Sequence, residues 1–407
     1  MFYIWIYRIL SLFLLFASII FLILRKIITK KAFGNISEKL GFLNFKAEKE
    51  NNIWIHAVSY GEVKTITPFV KKLYEEFPDK LIFLTVGTET GYTLAQTNCS
   101  NYAKIFYAPF DFYFCVKNFF KAFKAEIIII TETEIWFEFL FQAKNLKCLL
   151  VNARLTDKST KLYNLPLIKN FMQIALKSFS LILCQSQYDL KRFLNIGADP
   201  NKLKVINNLK FDSIQIFPKE KQKLLKASLN ITENNLVLIA GSTHEEEDFL
   251  ILKIYAKLKL LYKNIYLILA PRHLERIKEI NKLIAELNIK DLFIVNSMGQ
   301  LNEFYSISNI VLLGGTWVNI GGHNPLEPAI YGLPILTGKY TYKITELLNE
   351  LKEKLYIKEI QDSEDLYNEL KNLIENYKKL SINNLKFKDS NLVSEEILKE
   401  LKKLILC

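Results

Sequence analysis

Glycine, histidine, asparagine and glutamate are concentrated between Gly314 and Gly338, in the sequence GGTWVNIGGHNPLEPAIYGLPILTG. Six of the 14 glycines of the chain lie here, and glycine lets a backbone approach a ligand closely. Asn324 and Pro325 favour the start of a helix, and a glycine-rich turn before a helix N-terminus binds phosphate or another anion. Glu327 adds an acceptor for a pair of sugar hydroxyls. The alternative is a tight surface turn that caps an ordinary helix.

These residues must be positioned by regular elements, and the chain alternates strand-like and helix-like segments from residue 52 onwards. Apolar runs predict strands at 53–58, 81–86, 126–131, 146–152 and 181–185, and again at 236–240, 265–270, 292–295 and 310–313. Helical spacing is found at 62–77, 91–97, 246–262 and 274–287. Two such series, joined over residues 211–234, predict an α/β protein with two doubly wound, Rossmann-like domains.

Polar side chains follow the predicted strand ends, where such folds bind ligands. The first half has Gly61-Glu62 and Glu132-Thr133-Glu134, and the second has Arg272 and the glycine-rich segment. A carboxylate base on one side of a cleft and an anion site on the other suit transfer from an activated phosphate donor to a hydroxyl. For Glu62 alone, compensation of a helix dipole is the alternative. All four histidines also lie in or beside strand ends, which favours a functional role: His56, His244, His273 and His323.

The N-terminus bears on location. Residues 1–24 are almost all apolar and basic residues follow them, which predicts an uncleaved membrane anchor over residues 1–31. The basic residues favour the cytoplasmic side for everything downstream. A cleaved signal peptide is the alternative, although its charge would precede the apolar run. The five cysteines are scattered and never form CxxC, which is typical of a reduced compartment.

The net charge of +12 fits a phosphorylated substrate, an anionic membrane surface or nucleic acid, and a lysine-rich genome would produce the same excess. No zinc-finger, RNP-like or helix-turn-helix signature is present, so nucleic acid is not an expected partner. No GxGxxG follows a strand, and 332–340 differ from a P-loop in spacing. No DxD-like pair ends a strand, so we expect neither a metal nor a cofactor.

Seven motifs occur in order along the chain: HAVSYGE (56–62), ETEIW (132–136), NARL (152–155), LKFD (209–212), STHEEE (242–247), PRH (271–273) and GGHNPLEPA (321–329). They resemble the motifs of the 3-deoxy-D-manno-octulosonic acid (Kdo) transferases of lipopolysaccharide synthesis. The resemblance implies a GT-B-like fold in which two Rossmann-like domains face a cleft. It also implies an inverting, metal-independent glycosyltransferase that moves Kdo from CMP-Kdo to the lipid A precursor, lipid IVA, at the cytoplasmic face of the inner membrane.

The resemblance assigns roles to residues. Glu62 matches the general base, and Glu132 and Lys210 match residues that assist the transition state. The CMP-Kdo-binding positions that it implies are Pro271, Arg272, Met298, Gly299, Gln300, Leu301, Gly322, His323, Asn324, Pro325, Leu326 and Glu327. The chain departs from the family at Phe137-Glu138, where Pro-Asn is usual, and at Asn207-Asn208, where Gly-Ser is frequent. The oligomeric state and the number of Kdo residues transferred stay open.

The expected organisation is an anchor at 1–31, an acceptor domain at 32–212, a CMP-sugar domain at 213–385, and a C-terminal helix at 386–407 that packs on the acceptor domain. Two other functions are considered: a membrane-attached GT-B enzyme that uses a UDP-sugar, against which the LKFD and NARL motifs argue, and a catalytically silent nucleotide-binding membrane protein. Candidate contacts to inner-membrane lipids, with burial in the core as the alternative, are Phe33, Phe42, Phe45, Lys31, Lys46, Phe112, Phe119, Phe120, Lys117 and Lys121.

Overall fold

The computed structural model describes residues 3–9, 11, 35–388 and 393–406. Contacts divide the chain into two compact units, which we call unit 1 (Met1–Ser213 with Asn391–Cys407) and unit 2 (Ile214–Ser390). Each unit contains its own parallel sheet, so the prediction of two Rossmann-like α/β domains is confirmed.

Unit 1 has a seven-stranded sheet in the order β3-β2-β1-β4-β5-β6-β7. Its central strands are buried along almost their whole length because helices cover both faces of a parallel sheet. The strands are β1 (Asn52–His56), β2 (Ile82–Val86), β3 (Lys104–Tyr107), β4 (Ala125–Thr131), β5 (Lys147–Ala153), β6 (Leu181–Cys184) and β7 (Leu203–Val205). The helices are α1 (Ile36–Lys39), α2 (Tyr60–Glu76), α3 (Glu89–Cys99), α4 (Tyr113–Phe123), α5 (Phe137–Ala143), α6 (Asp157–Tyr163), α7 (Pro166–Lys177) and α8 (Gln187–Asn195), with 3₁₀ turns at Pro200–Lys202 and Leu209–Ser213.

Unit 2 has a six-stranded sheet in the order β10-β9-β8-β11-β12-β13. Its strands are β8 (Leu236–Thr243), β9 (Ile265–Pro271), β10 (Leu292–Ile294), β11 (Ile310–Leu313), β12 (Ile335–Thr337) and β13 (Ile357–Glu359). Its helices are α9 (Lys219–Ser228), α10 (Glu247–Leu261), α11 (Ile277–Glu286), α12 (Leu301–Ser306), α13 (Leu326–Ala329), α14 (Thr345–Lys352) and α15 (Ser363–Lys388), with a 3₁₀ turn at Leu274–Arg276.

The strand order creates one switch point in each sheet. The first strand of each unit lies between the second and the fourth, so β1 pairs with β4 and β8 pairs with β11. Doubly wound folds bind ligands beyond the carboxyl ends of strands at such a point, because the crossover connections leave in opposite directions there.

A last helix, α16 (Val393–Leu406), belongs to unit 1. Both carboxylate oxygens of Asp212 accept from its first backbone N–H groups, those of Val393 at 2.8 Å and Ser394 at 2.7 Å. Its apolar face is buried in the unit 1 core, with Leu401 fully buried.

The predicted anchor helix over residues 1–31 finds no support in the structure. Residues 12–34 lie outside the described residues, and 3–9 are helical and pack against unit 1, where Ile4 enters the core. Within the part of the chain that is described, no helix is both long and apolar enough to cross a membrane.

Two polar contacts hold this N-terminal segment in place. The Tyr7 hydroxyl donates to Asp111 at 2.6 Å. The Arg8 guanidinium donates to both oxygens of Glu138, at 2.9 and 2.8 Å. Glu138, one of the two residues that replace Pro-Asn of the family, is fully buried. Its charge is therefore compensated from a segment 130 residues earlier in the chain.

We predict that Arg8→Met lowers the free energy of unfolding of unit 1 by about 3 kcal/mol, because it leaves the buried Glu138 carboxylate without its cation. Chemical denaturation of the full chain measures the change. The double variant Arg8→Met/Glu138→Gln is the matched control and should recover most of the loss. An Arg8→Met protein as stable as the wild type would contradict the assignment.

Candidate functional site

A pocket of about 310 Å³ lies at the carboxyl ends of the unit 2 strands. Most of the predicted donor-site positions line it: Pro271, Arg272, Met298, Gly299, Leu301, His323, Asn324 and Glu327. Sequence reasoning missed other lining residues: Ser242, Ala270, Val295, Ser297, Asn302 and Tyr305. Ser242 has a φ of 59°, a conformation that non-glycine residues rarely adopt and that often marks functional sites.

Four predicted donor-site positions do not line this pocket and shape its surroundings instead. Gln300 turns its side chain back to accept from the Ser297 hydroxyl at 2.5 Å. Gly322 has a φ of 92°, which favours glycine at that turn. Pro325 and Leu326 are buried where α13 begins.

The glycines of the 314–338 segment serve internal packing. A Cβ at Gly314 would collide with the backbone carbonyl of Ser242, because β11 and β8 approach closely there. A Cβ at Gly315 would lie 2.9 Å from Cδ2 of His323. These two glycines therefore place His323 and the end of β8, and the role of the segment in approaching a ligand stays a prediction.

The predicted helix N-terminus at Asn324 is also different from expectation. Helix α13 has only four residues, Leu326–Ala329, and Asn324 Oδ1 accepts from the backbone N–H of Leu326 at 3.1 Å. A single helical turn carries a small dipole. An anion in the pocket would therefore be met by side chains, among which Arg272 has an exposed guanidinium.

Three of the four histidines meet in unit 2. The imidazole Nε2 atoms of His244 and His323 are 2.8 Å apart, and the His273 ring centroid lies 5.5 Å from that of His244. His56 is separate and structural: its Nδ1 lies 2.9 Å from the Thr85 hydroxyl. Complete burial lowers the pKa of His56 to about 3, so this ring is neutral at physiological pH.

In unit 1 the Glu62 carboxylate lies in the first turn of α2, nearly buried. Oε1 accepts from the backbone N–H of Ser59 at 3.2 Å and from its hydroxyl at 2.7 Å. The Ser59 Oγ accepts in turn from the backbone N–H of Glu62 at 3.3 Å, which completes a capping box. Oε2 accepts from the backbone N–H of Val58 at 3.0 Å and from the Thr131 hydroxyl at 2.7 Å. A carboxylate has about four lone-pair sites, so all of them are occupied here.

Glu132 follows β4 with a φ of 51°, and its Oε1 lies 3.7 Å from Lys210 Nζ. Burial raises the pKa of Glu132 above its usual value, and the Lys210 ammonium opposes that rise. The structure therefore brings together Glu132 and Lys210, which are far apart in the sequence. The Glu62 charge adds to the rise in the pKa of Glu132.

Lys210 is held by a buried amide network in the turn Leu209–Ser213. Asn152 Oδ1 accepts from the backbone N–H of Leu209 at 2.9 Å. Asn208 Oδ1 accepts from the backbone N–H of Lys210 at 3.0 Å, and its amide donates to Gln185 at 2.9 Å. The departure from the family at Asn208 thus has a structural function, because this side chain fixes the backbone that carries Lys210.

Glu134 is a second carboxyl at the end of β4 that sequence reasoning noticed without assigning a role. Its Oε2 accepts from the Trp136 indole N–H at 2.5 Å. Burial raises the pKa of Glu134 to about 7, the Glu62 charge adds to the rise, and the Trp136 hydrogen bond opposes it. Carboxyl groups with such perturbed pKa values are concentrated at functional sites.

Comparison with known proteins decides the family. Residues 34–213 match the family model described as 3-deoxy-D-manno-octulosonic-acid transferase (kdotransferase). The 3-deoxy-D-manno-octulosonic acid transferase of Rickettsia bellii is 30% identical over 95% of this chain and 95% of its own length. The transferase of Haemophilus influenzae is 30% identical over 81% of both chains. The chain belongs to the Kdo transferase family.

A bifunctional glycosyltransferase/methyltransferase of Fusobacterium nucleatum is 32% identical over 86% of this chain, which spans only 57% of that relative's length. Among solved structures, a putative UDP-N-acetylglucosamine 2-epimerase from Listeria monocytogenes is similar with a TM-score of 0.56 and 14% identity, over 87% of this chain and 96% of its own. A glycosyltransferase from Rickettsia africae has a TM-score of 0.51 and 14% identity, over 88% and 99%. These structures show the fold alone, which agrees with a GT-B-like pair of Rossmann-like units.

The raised pKa of Glu134 in this Kdo transferase family member predicts a pH dependence. A carboxyl that holds its proton more tightly when folded stabilises the fold at low pH, and this contribution is lost between pH 4.5 and about 7. The melting temperature of Glu134→Gln relative to that of the wild type should therefore increase as pH rises from 5 to 8. Thermal melts across this range test it, with Glu75→Gln at an exposed site as the control. Parallel curves for wild type and Glu134→Gln would refute the assigned shift.

Proposed function

We propose that this chain transfers Kdo from CMP-Kdo to lipid IVA with inversion at the anomeric carbon. The observation that carries the proposal is the unit 2 pocket, which unites Pro271, Arg272, His323 and Glu327 in one chain of the Kdo transferase family. A volume of about 310 Å³ is at the lower end of the range for small-molecule sites, which suits a nucleoside monophosphate.

Each pocket residue has a chemical role in this proposal. The Arg272 guanidinium binds the phosphate, where a charge-assisted hydrogen bond is stronger than a neutral one. The Glu327 carboxylate accepts from the ribose hydroxyls. Met298 and Leu301 offer apolar surface to the cytosine ring. A donor with a single phosphate is matched by one exposed guanidinium, which favours CMP-Kdo over a UDP-sugar with its diphosphate.

Glu62 is the proposed general base, as the family resemblance implies. The acceptor hydroxyl gives its proton to this carboxylate while its oxygen attacks the anomeric carbon, and the bond from that carbon to the phosphate oxygen breaks, releasing CMP. Since four donors fill the lone-pair sites of Glu62, one of them must first withdraw. The Thr131 hydroxyl has a second acceptor, the backbone carbonyl of His56 at 3.1 Å, to which it can turn.

Glu132 and Lys210 are proposed as an electrostatic pair beside this base. At 3.7 Å the ion pair is loose, so the Lys210 ammonium can also stabilise negative charge that develops during transfer. The amide network below Lys210 supports this role, because it fixes the backbone from which the side chain extends.

The acceptor is a lipid, so we propose that the enzyme works at the cytoplasmic face of the inner membrane. Three suggested membrane contacts do not fit, because Phe119 is buried and Phe45 and Phe120 pack on the unit 1 core. Phe33 and Lys31 lie outside the described residues and stay predictions. The suggested contact Phe42 is exposed. Further exposed apolar side chains lie in or beside the N-terminal segment, where Arg8 stacks 4.2 Å over the Tyr113 ring: Trp5, Ile9, Tyr113 and Phe114. Apolar groups beside basic ones are a membrane-surface signal.

The proposal is tested by incubating the full chain with CMP-Kdo and lipid IVA in anionic vesicles and measuring the mass of the product. We expect the mass of lipid IVA to rise by one or more Kdo units. Transfer to acceptor in vesicles should weaken with salt if the surface around Trp5 docks on lipid. Transfer from a UDP-sugar and none from CMP-Kdo would replace the proposal by the UDP-sugar alternative, and no transfer from either would favour a silent nucleotide-binding protein.

In the same assay, Glu62→Gln should lower transfer by about 10²–10⁴-fold, the usual contribution of a general base. A glutamine at this site would also turn its NH₂ group towards hydrogen-bond donors that now contact the carboxylate, so a structural control is needed. Ser59→Ala breaks the same capping box, at a cost of about 1 kcal/mol, yet keeps the carboxylate. Equal losses of activity in the two variants would indicate that Glu62 has a structural role and is not the general base.

A further inference from the structure

His244 and His323 form a pair that shares one proton. His244 follows β8, and His323 lies in the loop after β11, with the two ring planes 2° apart and the ring centroids separated by 5.0 Å. Their Nε2 atoms are 2.8 Å apart. A hydrogen bond at this distance requires one Nε2 to carry a proton and the other to accept it, so the two rings must hold different tautomers.

The pair is held in a dedicated frame. The fully buried Glu247 carboxylate accepts from the backbone N–H of His244 at 2.8 Å and from that of Gly315 at 2.9 Å. It also accepts from the backbone N–H of Trp317 at 2.9 Å. Glycine at 315 leaves the space that the His323 ring occupies. One carboxylate thus fixes both loops that carry the histidines.

The groups that face the pair are mostly cationic. Positive charge comes from Arg272, Arg276 and Lys343, with His273 beside His244. Three nearby carboxylates are engaged elsewhere: Asp248 with Arg276 at 2.5 Å, Glu275 with His273 at 3.4 Å, and Glu247 with its three backbone donors. Glu327 lines the same pocket as His323.

Both histidines are therefore neutral at pH 7 in the ligand-free protein. Burial, and then the neighbouring His244 and Arg272, lower the pKa of His323 to about 4. Burial followed by His273 and Arg272 lowers the pKa of His244. An anion in the pocket, which His323 and Arg272 both line, would oppose these cations directly.

We propose that the His244–His323 pair takes up one proton from solvent when an anionic nucleotide binds, and then acts as a second cation beside Arg272. This inference rests on the proposed donor site and adds His244 to it, a residue to which no role has been assigned above. The proton binds the vacant Nδ1 of the ring whose Nε2 donates. The imidazolium keeps its hydrogen bond to the neutral partner, now charge-assisted, and no covalent bond changes. The proton returns to solvent when the nucleotide leaves.

The consequence is that anion affinity falls as pH rises. The bound state carries more protons than the free state, so the dissociation constant should rise by up to about tenfold per pH unit between the ligand-free and the nucleotide-bound pKa of the pair. A donor with a carboxylate beside its phosphate, such as CMP-Kdo, offers two charges to two cations. A neutral nucleoside offers none and should not drive the uptake.

Isothermal titration of the full chain tests the inference, with cytidine 5′-methylphosphate as the ligand. Its single charge is fixed near pH 7, so the ligand itself cannot take up the proton. Titrations at pH 7 in buffers of different ionisation enthalpy should show net proton uptake of up to one per ligand. His244→Gln and His323→Gln should each abolish the uptake, whereas His273→Gln, a matched change at an exposed ring, should retain it. Cytidine should show no uptake in any protein.

The outcomes separate the two proposals. Binding of the ester to wild type without proton uptake, or uptake that persists in both His244→Gln and His323→Gln, would overturn the proton-sharing inference and leave the donor site intact. Failure of the ester and of CMP to bind wild type would remove the donor site, and the inference with it. If a histidine variant does not fold, imidazole ¹⁵N spectra of wild type decide: a change to a charged ring on adding the ester supports the inference, and unchanged neutral rings refute it.

Discussion

Each unit depends on one buried glutamate at the switch point of its sheet. Glu62 lies in the first turn of the helix after β1 and accepts from Thr131 at the end of β4. Glu247 begins the helix after β8 and accepts from Gly315, just beyond β11. In each unit this carboxylate satisfies buried backbone N–H groups that would otherwise lack partners, and it ties the first strand to the fourth. The functional loops are therefore held by the same bonds that close the fold.

The two glutamates differ in a way that fits the proposed chemistry. All the donors to Glu247 are backbone N–H groups, which cannot turn away without moving the chain. Two of the four donors to Glu62 are hydroxyls, those of Ser59 and Thr131, which can rotate to other acceptors. Glu247 thus holds the histidine pair in a fixed position, whereas rotation of a hydroxyl can leave one lone pair of Glu62 without a hydrogen-bond donor.

Sequence patterns predicted the elements that carry strong signals. Long apolar runs such as that of β4 located the central strands, and the strand-end rule located Glu62, Glu132 and Arg272. Patterns found β6, β10 and β11, which are short but wholly apolar, and did not find β3, β7, β12 and β13. Strands β3, β7 and β13 each contain a lysine within three or four residues, which leaves no apolar run to detect. The partnership of Arg8 with Glu138 and the pairing of His244 with His323, 79 residues apart, depend on packing that no local pattern encodes. The glycines were noticed, but only the structure shows that they make room for protein atoms.

The central claim is that the unit 2 pocket binds the nucleotide of the donor. The most direct measurement is a titration of CMP into the full chain and into Arg272→Ala and Glu327→Ala, with Lys278→Ala as a control that removes an equal charge from an exposed site outside the pocket lining. Loss of a charge-assisted contact is expected to weaken CMP binding by about tenfold or more in the first two variants, whereas Lys278→Ala should bind like the wild type. Unchanged CMP affinity in both Arg272→Ala and Glu327→Ala would contradict the account.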